Sequence, residues 1–589
     1  MAFALLRRQL RRWEGYAPVR PSTKTAFDAD IDDDGHGGPG ESAGRACPSA
    51  LFSISTAIRV LLFLLPSFVA NPARQRLGLA KPARRKQLHA TAYLDGLRGV
   101  AALIVYVFHF GYLWFPSLRH GYGSTPEDVW LAQLPVVRAL HSGRASVTVF
   151  FVISGYVLSA KPLATLRAGR ADAVFDLLAG GLFRRPLRLY LPIFVQTLII
   201  LVLVRLGLFV ANPPGQPGSI PPFANSLADQ LEHWWGQFWQ LVNPFQAIAG
   251  RFTIPDNQYD GHLWTIPVEF KGSVLVFALL LVFSRTKRWA SLAGLAGAVA
   301  WLIHVLDYDM ALFAGGVFLV ELSLLVPPAA VAAGSWASAF RPRGLSSRAF
   351  ARLSHALRHA ATLTLFAVCI WLFSYPETNG PSTPGFRTLS ALTPKGFQRG
   401  EDWVQFFWIA TGALLFVPAL MYSPPPRLPR PAADDDDDVE LGSAGERLLP
   451  ASAGKDDDGA ARPAAAAPGE PLLQRIFTTR LAQYLGEVSF ALYLAHDSVS
   501  HVLGMRFLRP AWDAFNVNLG DAERVGAVDS GQGRDLRAVA YSRYVLAAAW
   551  GVALNTVVLF WVSDLFTRLV DAKAIRFARR VQQWVWATT

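Results

Sequence analysis

Residues 91–115, TAYLDGLRGVAALIVYVFHFGYLWF, form an apolar run long enough to cross a bilayer, yet they carry Asp95, Arg98 and His109. A spanning helix needs about 20 mostly apolar residues, and ionisable groups at membrane depth are costly and usually functional. Arg98 and His109 stand eleven positions apart. At about 100° per residue that spacing returns to the same helical face, roughly 16 Å along the axis. Asp95 lies one turn before Arg98, within reach of an ion pair. The structural alternative is a membrane helix whose two ends merely carry charge.

The remaining composition agrees with a membrane protein. The 589 residues are 52% hydrophobic, with 18 Trp and 39 Phe, more apolar content than one soluble core uses. The net charge of +13 does not imply a nucleic-acid partner. Its Lys and Arg residues cluster in short segments between apolar runs, which is how membrane topology is written. Cys47 and Cys369 lie far apart and supply neither a disulfide framework nor a Cys-rich metal site.

Residues 1–50 begin with a short basic stretch and become Asp-, Gly- and Ser-rich, which predicts a disordered cytosolic tail. In 51–90, the apolar run Leu51–Ala70 contains Arg59 and Pro66 and reads as an interfacial helix more readily than a span; a basic block follows. After the 91–115 helix, nine further spans are predicted. They are Ala145–Ala160, Leu189–Val210, His262–Ser284, Trp289–Leu306, Met310–Pro327, Ala360–Ser374, Trp403–Met421, Leu481–Gly504 and Tyr544–Phe566. Ten spans put both termini on one side. Basic residues in Lys161–Arg188, Arg285–Arg288, Arg341–Arg358 and Arg568–Arg580 all fall on the side of the first basic block, whereas Ala211–Asp260 holds only Arg251. The positive-inside rule therefore places both termini in the cytosol. The expected fold is an all-α polytopic membrane helix bundle of about ten transmembrane helices. Its core spans 91–421 and 471–580, interrupted by an acidic cytosolic linker at 422–470 and followed by a tail at 581–589. The linker, with its Pro-rich start and Asp434–Asp438, cannot bury enough apolar area to fold.

Other polar groups sit in or beside the spans. FRRPLRLYLP at 183–192 supplies Arg184, Arg185 and Arg188, whose forked guanidinium groups suit phosphate oxygens; obedience to the positive-inside rule is their simpler reading. HLWTIPVEFKGS at 262–273 places His262 and Glu269 on one face. Glu269 needs a partner at that depth; Lys271 is a candidate, although a spacing of two points it elsewhere. The span at 310–327 pairs Gly315 and Gly316, which permit close helix approach, with Glu321. SFALYLAHDSV at 489–499 offers Tyr493, His496 and Asp497 for a hydrogen-bonded cluster, or for helix packing alone. No P-loop or HExxH motif occurs.

The ordered set YLDGLRGVAALIVYVFHF, FFVISGYVLS, RRPLRLYLP, HLWTIPVEF and SFALYLAH resembles the acyltransferase-3 family of integral membrane O-acyltransferases. The wording around His262–Ser273 is most similar to the fungal members. The resemblance covers Thr91 to Arg580, and its most specific part is Arg98 with His109 followed by Arg185 and Arg188. HLWTIPVEF departs from the pattern in Pro267 and in lacking a second acid after the glutamate. The resemblance implies a single-domain enzyme that moves an acyl group, often acetyl from acetyl-CoA, to a hydroxyl of a carbohydrate or small-molecule acceptor.

Joined to the residue chemistry, it implies a mechanism. Anionic acyl-CoA, the co-substrate, meets Arg184, Arg185 and Arg188 from the cytosol, with Arg98 deeper and oriented by Asp95. His109 takes the acceptor proton as general base. Glu269, His262, Trp264, Tyr493 and His496 are the candidates around the acceptor. No permanently bound cofactor and no metal is expected. The expected partners are the lipid bilayer, whether plasma membrane or endomembrane, acyl-CoA and the acceptor. The competing class is a proton-coupled transporter of an anionic or sugar-like solute, since buried charge suits one too; the two halves show no inverted repeat.

Overall fold

A computed structural model describes residues 61–77, 79, 88–213, 220–243, 257–333, 347–426, 469–524 and 531–586. All of them belong to one compact unit, Ser53–Asp434 with Ala466–Thr589. The expected tail at 1–50, residues 51–60 and most of the 422–470 linker lie outside the described residues.

Among the described residues the secondary structure is helical, with no strand. The principal helices are α1 (Ser67–Arg76), α2 (Ala92–Trp114), α3 (Gly143–Arg167), α4 (Ala171–Arg205) and α5 (Leu227–Val242). After them come α6 (Thr265–Val282), α7 (Arg288–His304), α8 (Tyr308–Leu325), α9 (Ser347–Phe373) and α10 (Glu401–Met421). The chain closes with α11 (Arg480–Val499), α12 (Met505–Arg524), α13 (Gly531–Phe566) and α14 (Ala572–Trp586). Each predicted span coincides with a helix. Among the described residues, eight helical stretches are long and apolar enough to cross a membrane. Two predicted spans fall outside that set. α7 has only 17 residues, and α11 carries Arg480, Glu487 and Asp497. The low apolarity of α11 has a physical reason: most of its length is buried against protein, where polar groups find partners that lipid cannot offer.

α8 is buried around most of its circumference, the mark of an interior helix, and it lies at the centre of the main core. Phe313 of α8 stacks on Phe151 of α3 at 5.2 Å. A Cβ on Gly155 would come within 2.1 Å of the Phe313 carbonyl oxygen, and one on Gly316 within 2.4 Å of the Val152 carbonyl oxygen. The two backbones touch because neither position has a side chain. At the periphery, α13 turns Leu546, Trp550, Leu554 and Val557 outward as a stripe at helical spacing, suited to lipid.

The run predicted as one interfacial helix at 51–70 is broken within its described part. A helical turn at 61–64 ends before Pro66, and α1 starts anew at Ser67. This segment docks on α13: Ser67 donates to the Asp564 carboxylate through its amide and hydroxyl, and Trp561 donates to the Leu64 carbonyl. At the other end, α14 runs through Trp586, so 581–586 belong to a helix and not to the expected tail.

Candidate active site

α2 and α11 are the site's two walls, held in backbone contact by glycines. A Cβ on Gly99 would lie 2.2 Å from the Gly486 amide nitrogen, and one on Gly486 would lie 2.5 Å from the Asp95 carbonyl oxygen. This closeness lets Arg98 reach across, donating from Nε to Ser489 Oγ at 3.0 Å and from Nη2 to the Gly486 carbonyl at 3.1 Å. Further along the same face, His109 meets the His496 ring at 5.4 Å between centroids. Arg98 and His109 therefore share one face, as their spacing requires.

A three-histidine cluster forms where the α2 face meets the start of α6. Asp260 ends the preceding loop and caps the turn Gly261–Trp264, accepting the His262 amide at 2.9 Å. The same Asp260 oxygen faces His262 Nδ1 at 3.2 Å, and Asp497 Oδ1 faces it at 3.6 Å. Two carboxylates fix the proton on His262 Nδ1 and leave Nε2 as acceptor. His109 Nδ1 then donates to His262 Nε2 at 3.0 Å, and His109 Nε2 keeps its lone pair. His496 Nδ1 donates to the Tyr493 carbonyl at 2.6 Å, which makes its Nε2 a lone pair as well. That nitrogen is buried and has no hydrogen-bond partner.

The surroundings hold this cluster in place. Tyr493 donates its hydroxyl to the His262 carbonyl at 2.6 Å and pairs with Thr265 Oγ1 at 2.7 Å. Its hydroxyl thus braces α6, and its link to His496 runs through its carbonyl. A π-helical segment, Ser500–Gly504, follows α11 directly; such segments often occur at functional sites. Here Ser500 donates to the His496 carbonyl, Asn555 of α13 donates to Ser500 and to the Tyr106 hydroxyl, and His501 Nε2 lies 3.6 Å from Asp497.

A cationic layer lies towards the N-terminal end of α2. Arg185 pairs with the Glu269 carboxylate and donates from Nε to Ser273 Oγ at 2.8 Å. Arg188 is half-buried, with Arg185, Asp571, Arg98 and Glu269 as its charged surroundings. Arg98 keeps Asp95 at 3.6 Å, and His89 shares that carboxylate at 3.1 Å. Further expected residues have these surroundings. Arg184 donates to Gln582 of α14. Glu269 is the counter-ion of Arg185, and Lys271 pairs with Asp307 at 2.8 Å and not with Glu269. Trp264 packs half-buried against the main core.

Several residues at the site carry little sequence signal. Asp260 is legible only as a helix cap, the Asp before Gly-His. Arg144 and Arg119 are among the charges around His109, and Arg144 is held by Asp402 and by Gln405 at 2.9 Å. Arg138 is buried and donates to the carbonyls of Leu118, Arg119, His120 and Ser374, tying two loops together. In the sequence both Arg138 and Arg144 look like ordinary loop charges. Nor does the sequence bring His109, His262 and His496 together as a ligand set, yet one nitrogen from each lies within 4.8 Å of the others.

The family model of an acyltransferase domain, acyltransferase-3, matches residues 91–423. O-acetyltransferase PaAT-1 of Phomopsis amygdali is 29% identical over 462 residues, covering 74% of this chain and 80% of its own length. Acyltransferase clz18 of Cochliobolus lunatus is 24% identical, covering 69% of this chain and 82% of its own. Acyltransferase R4 of a Phoma species is also 24% identical, over 72% of this chain and 85% of its own. No solved structure matches the chain. The matched domain holds Arg98, His109, Arg185 and His262, while α11 completes the site from outside it. With apolar helices long enough to span a membrane and a domain match over more than half its length, this chain belongs to the acyltransferase-3 family of multi-pass membrane acyltransferases.

Proposed function

We propose that the protein transfers an acyl group, acetyl in the first instance, from acyl-CoA to a hydroxyl of a carbohydrate or small-molecule acceptor. One observation carries this reading: the hydrogen-bonded series from Asp260 through His262 to His109, with the Asp497 carboxylate 3.6 Å from His262, which leaves the His109 Nε2 lone pair for an acceptor proton. The acceptor oxygen attacks the thioester carbonyl as His109 takes its proton. The tetrahedral intermediate then collapses, expelling the coenzyme A thiolate, and the proton on His109 passes to that sulfur. A positioned base contributes about 10²–10⁴-fold; alignment of the two substrates and exclusion of water supply more.

Acyl-CoA enters from the cytosol, the side that the positive-inside rule gives to the N-terminal end of α2. Its phosphates meet Arg188 and Arg185, with Arg98 next in depth, and the thioester then lies towards His109, roughly 16 Å further along α2. The name of the Phomopsis amygdali relative supports acetyl as the group moved. The test uses purified protein in lipid nanodiscs with labelled acetyl-CoA and a panel of hydroxyl acceptors. His109→Ala is expected to abolish transfer while coenzyme A binding persists. Equal loss of coenzyme A affinity in His109→Ala, Arg185→Ala and Arg188→Ala, at normal folding, would make His109 a structural residue.

A further inference from the structure

We infer that His109, His262 and His496 form a binding site for a zinc-class divalent cation. The three rings come from three separate elements, α2, the turn before α6, and α11, and one nitrogen from each lies within 4.8 Å of the others. Neutral imidazoles are borderline donors that suit zinc and its neighbours in the transition series. Ligand nitrogens about 2.0–2.1 Å from a tetrahedral ion sit roughly 3.3–3.4 Å from each other. His262 Nε2 and His109 Nδ1 are already 3.0 Å apart, so an ion replaces their shared proton with a shift of a few tenths of an ångström.

A hydrogen bond between two histidines accounts for that one pair and leaves His496 unexplained. Its Nε2 is buried, carries a lone pair by virtue of the Nδ1 bond to the Tyr493 carbonyl, and has no hydrogen-bond partner. Such an orphan is unfavourable in a helix-bundle interior unless something binds it. The outer shell is also that of a metal site. Metal-bound histidines usually donate their second nitrogen to a carboxylate or a backbone carbonyl. His262 Nδ1 faces Asp260 and Asp497, and His496 Nδ1 meets the Tyr493 carbonyl. The two carboxylates also offset the charge of a cation brought into the bundle. Three protein ligands leave a fourth position open to a small oxygen ligand, as in three-histidine zinc sites generally.

The experiment needs no turnover. Protein in nanodiscs, stripped with a chelator, is titrated with Co²⁺ and then with Zn²⁺. The expected result is one Co²⁺ per chain with a visible ligand-field band, displaced by Zn²⁺. Asp497→Asn should weaken Co²⁺ binding by about 10–100-fold, and His496→Gln should weaken it further. His496→Cys should restore binding and add a sulfur-to-cobalt charge-transfer band, a signature that a packing role for residue 496 cannot produce. Absence of stoichiometric Co²⁺ binding by the folded wild type, or binding unchanged in both His496 variants, overturns the site. The inference rests on this geometry and not on the acyl-transfer reading. On that reading, Zn²⁺ occupies nitrogens that His109 and its relay need and should inhibit transfer. Stoichiometric binding without inhibition keeps the metal site and removes His109 as the base.

Discussion

At the residue scale, the proposed role of His109 as proton acceptor rests on a carboxylate two residues before His262. Asp260 does two jobs, capping a helical turn through one oxygen and orienting an imidazole through the same atom. Asparagine caps a helix about as well as aspartate but cannot stabilise the imidazolium that forms when a proton travels the relay. Asp260→Asn is therefore expected to lower kcat by about 10²–10⁴-fold with a small change in melting temperature; equal activity in the variant would detach Asp260 from the chemistry. Arg185 calls for a paired test. Removing it strands Glu269, and an unpaired buried charge is destabilising by about 3–5 kcal/mol, so Arg185→Ala alone confounds folding with binding. Arg185→Ala with Glu269→Gln should regain most of the lost stability while its coenzyme A affinity stays roughly 1.5–3 kcal/mol weaker for the lost charged hydrogen bonds. Full recovery of affinity in the double variant would take Arg185 out of the phosphate site.

At the element scale, the α2–α11 contact sets the register of the whole site. Overpacking of a tight contact costs about 1–3 kcal/mol, and the Cβ of Gly99→Ala would meet the backbone of Gly486. The helices must part, which moves Arg98 off the Gly486 carbonyl and His109 away from His496. Gly99→Ala should thus lose far more activity than stability, as read from kcat beside the melting curve; a variant with full activity would mean that the contact does not set the site. The loop after α2 makes a separate, pH-dependent element. Burial alone would raise the Asp128 carboxyl, but donors from Ser124, Thr125 and Gln133, with His120 beside it, overcome this and hold it below its ordinary 3.8. A lowered carboxyl contributes stability that is present above the ordinary value and is lost as pH falls through the lowered one. The protection of the 120–133 amides, taken as exchange relative to the intrinsic rate at each pH, should therefore fall on acidification below about pH 4. In Asp128→Asn the loop should be open to exchange already at neutral pH and respond less to acid; an acid response matching wild type would refute the assignment.

At the scale of the whole molecule, the described residues at the two ends of the connection between α10 and α11 lie together. Leu472 donates to the Pro424 carbonyl at 3.1 Å, Leu473 donates to Ser423, and His355 and His359 of α9 both meet the Pro425 carbonyl. Ends this close can be joined by a short flexible connection without strain. Replacing residues 427–468 with a few Gly-Ser units should leave expression, melting temperature and acyl transfer close to wild type. A collapse in any of these would show that the excised residues contribute to the bundle. A tag inserted at Asp434–Asp438 tests sidedness independently: protection in intact cells is expected from a cytosolic linker.

The architecture was largely legible because membrane helices announce themselves locally. Twenty apolar residues between basic segments suffice, whatever else the chain does. The common face of Arg98 and His109 follows likewise from helical periodicity alone, and both do meet α11. What tertiary structure decided was pairing. Glu269 could not choose Arg185 over Lys271 from sequence, because the choice depends on how α4 rotates against α6. His262 and His496 lie 234 positions apart in the chain and read separately as acceptor contacts. Packing hydrogen-bonds one to His109 and leaves the other with a buried lone pair. Periodicity fixes which residues share a face of one helix; which face meets which is settled by glycines and side-chain volumes on several helices at once, and no local pattern records that.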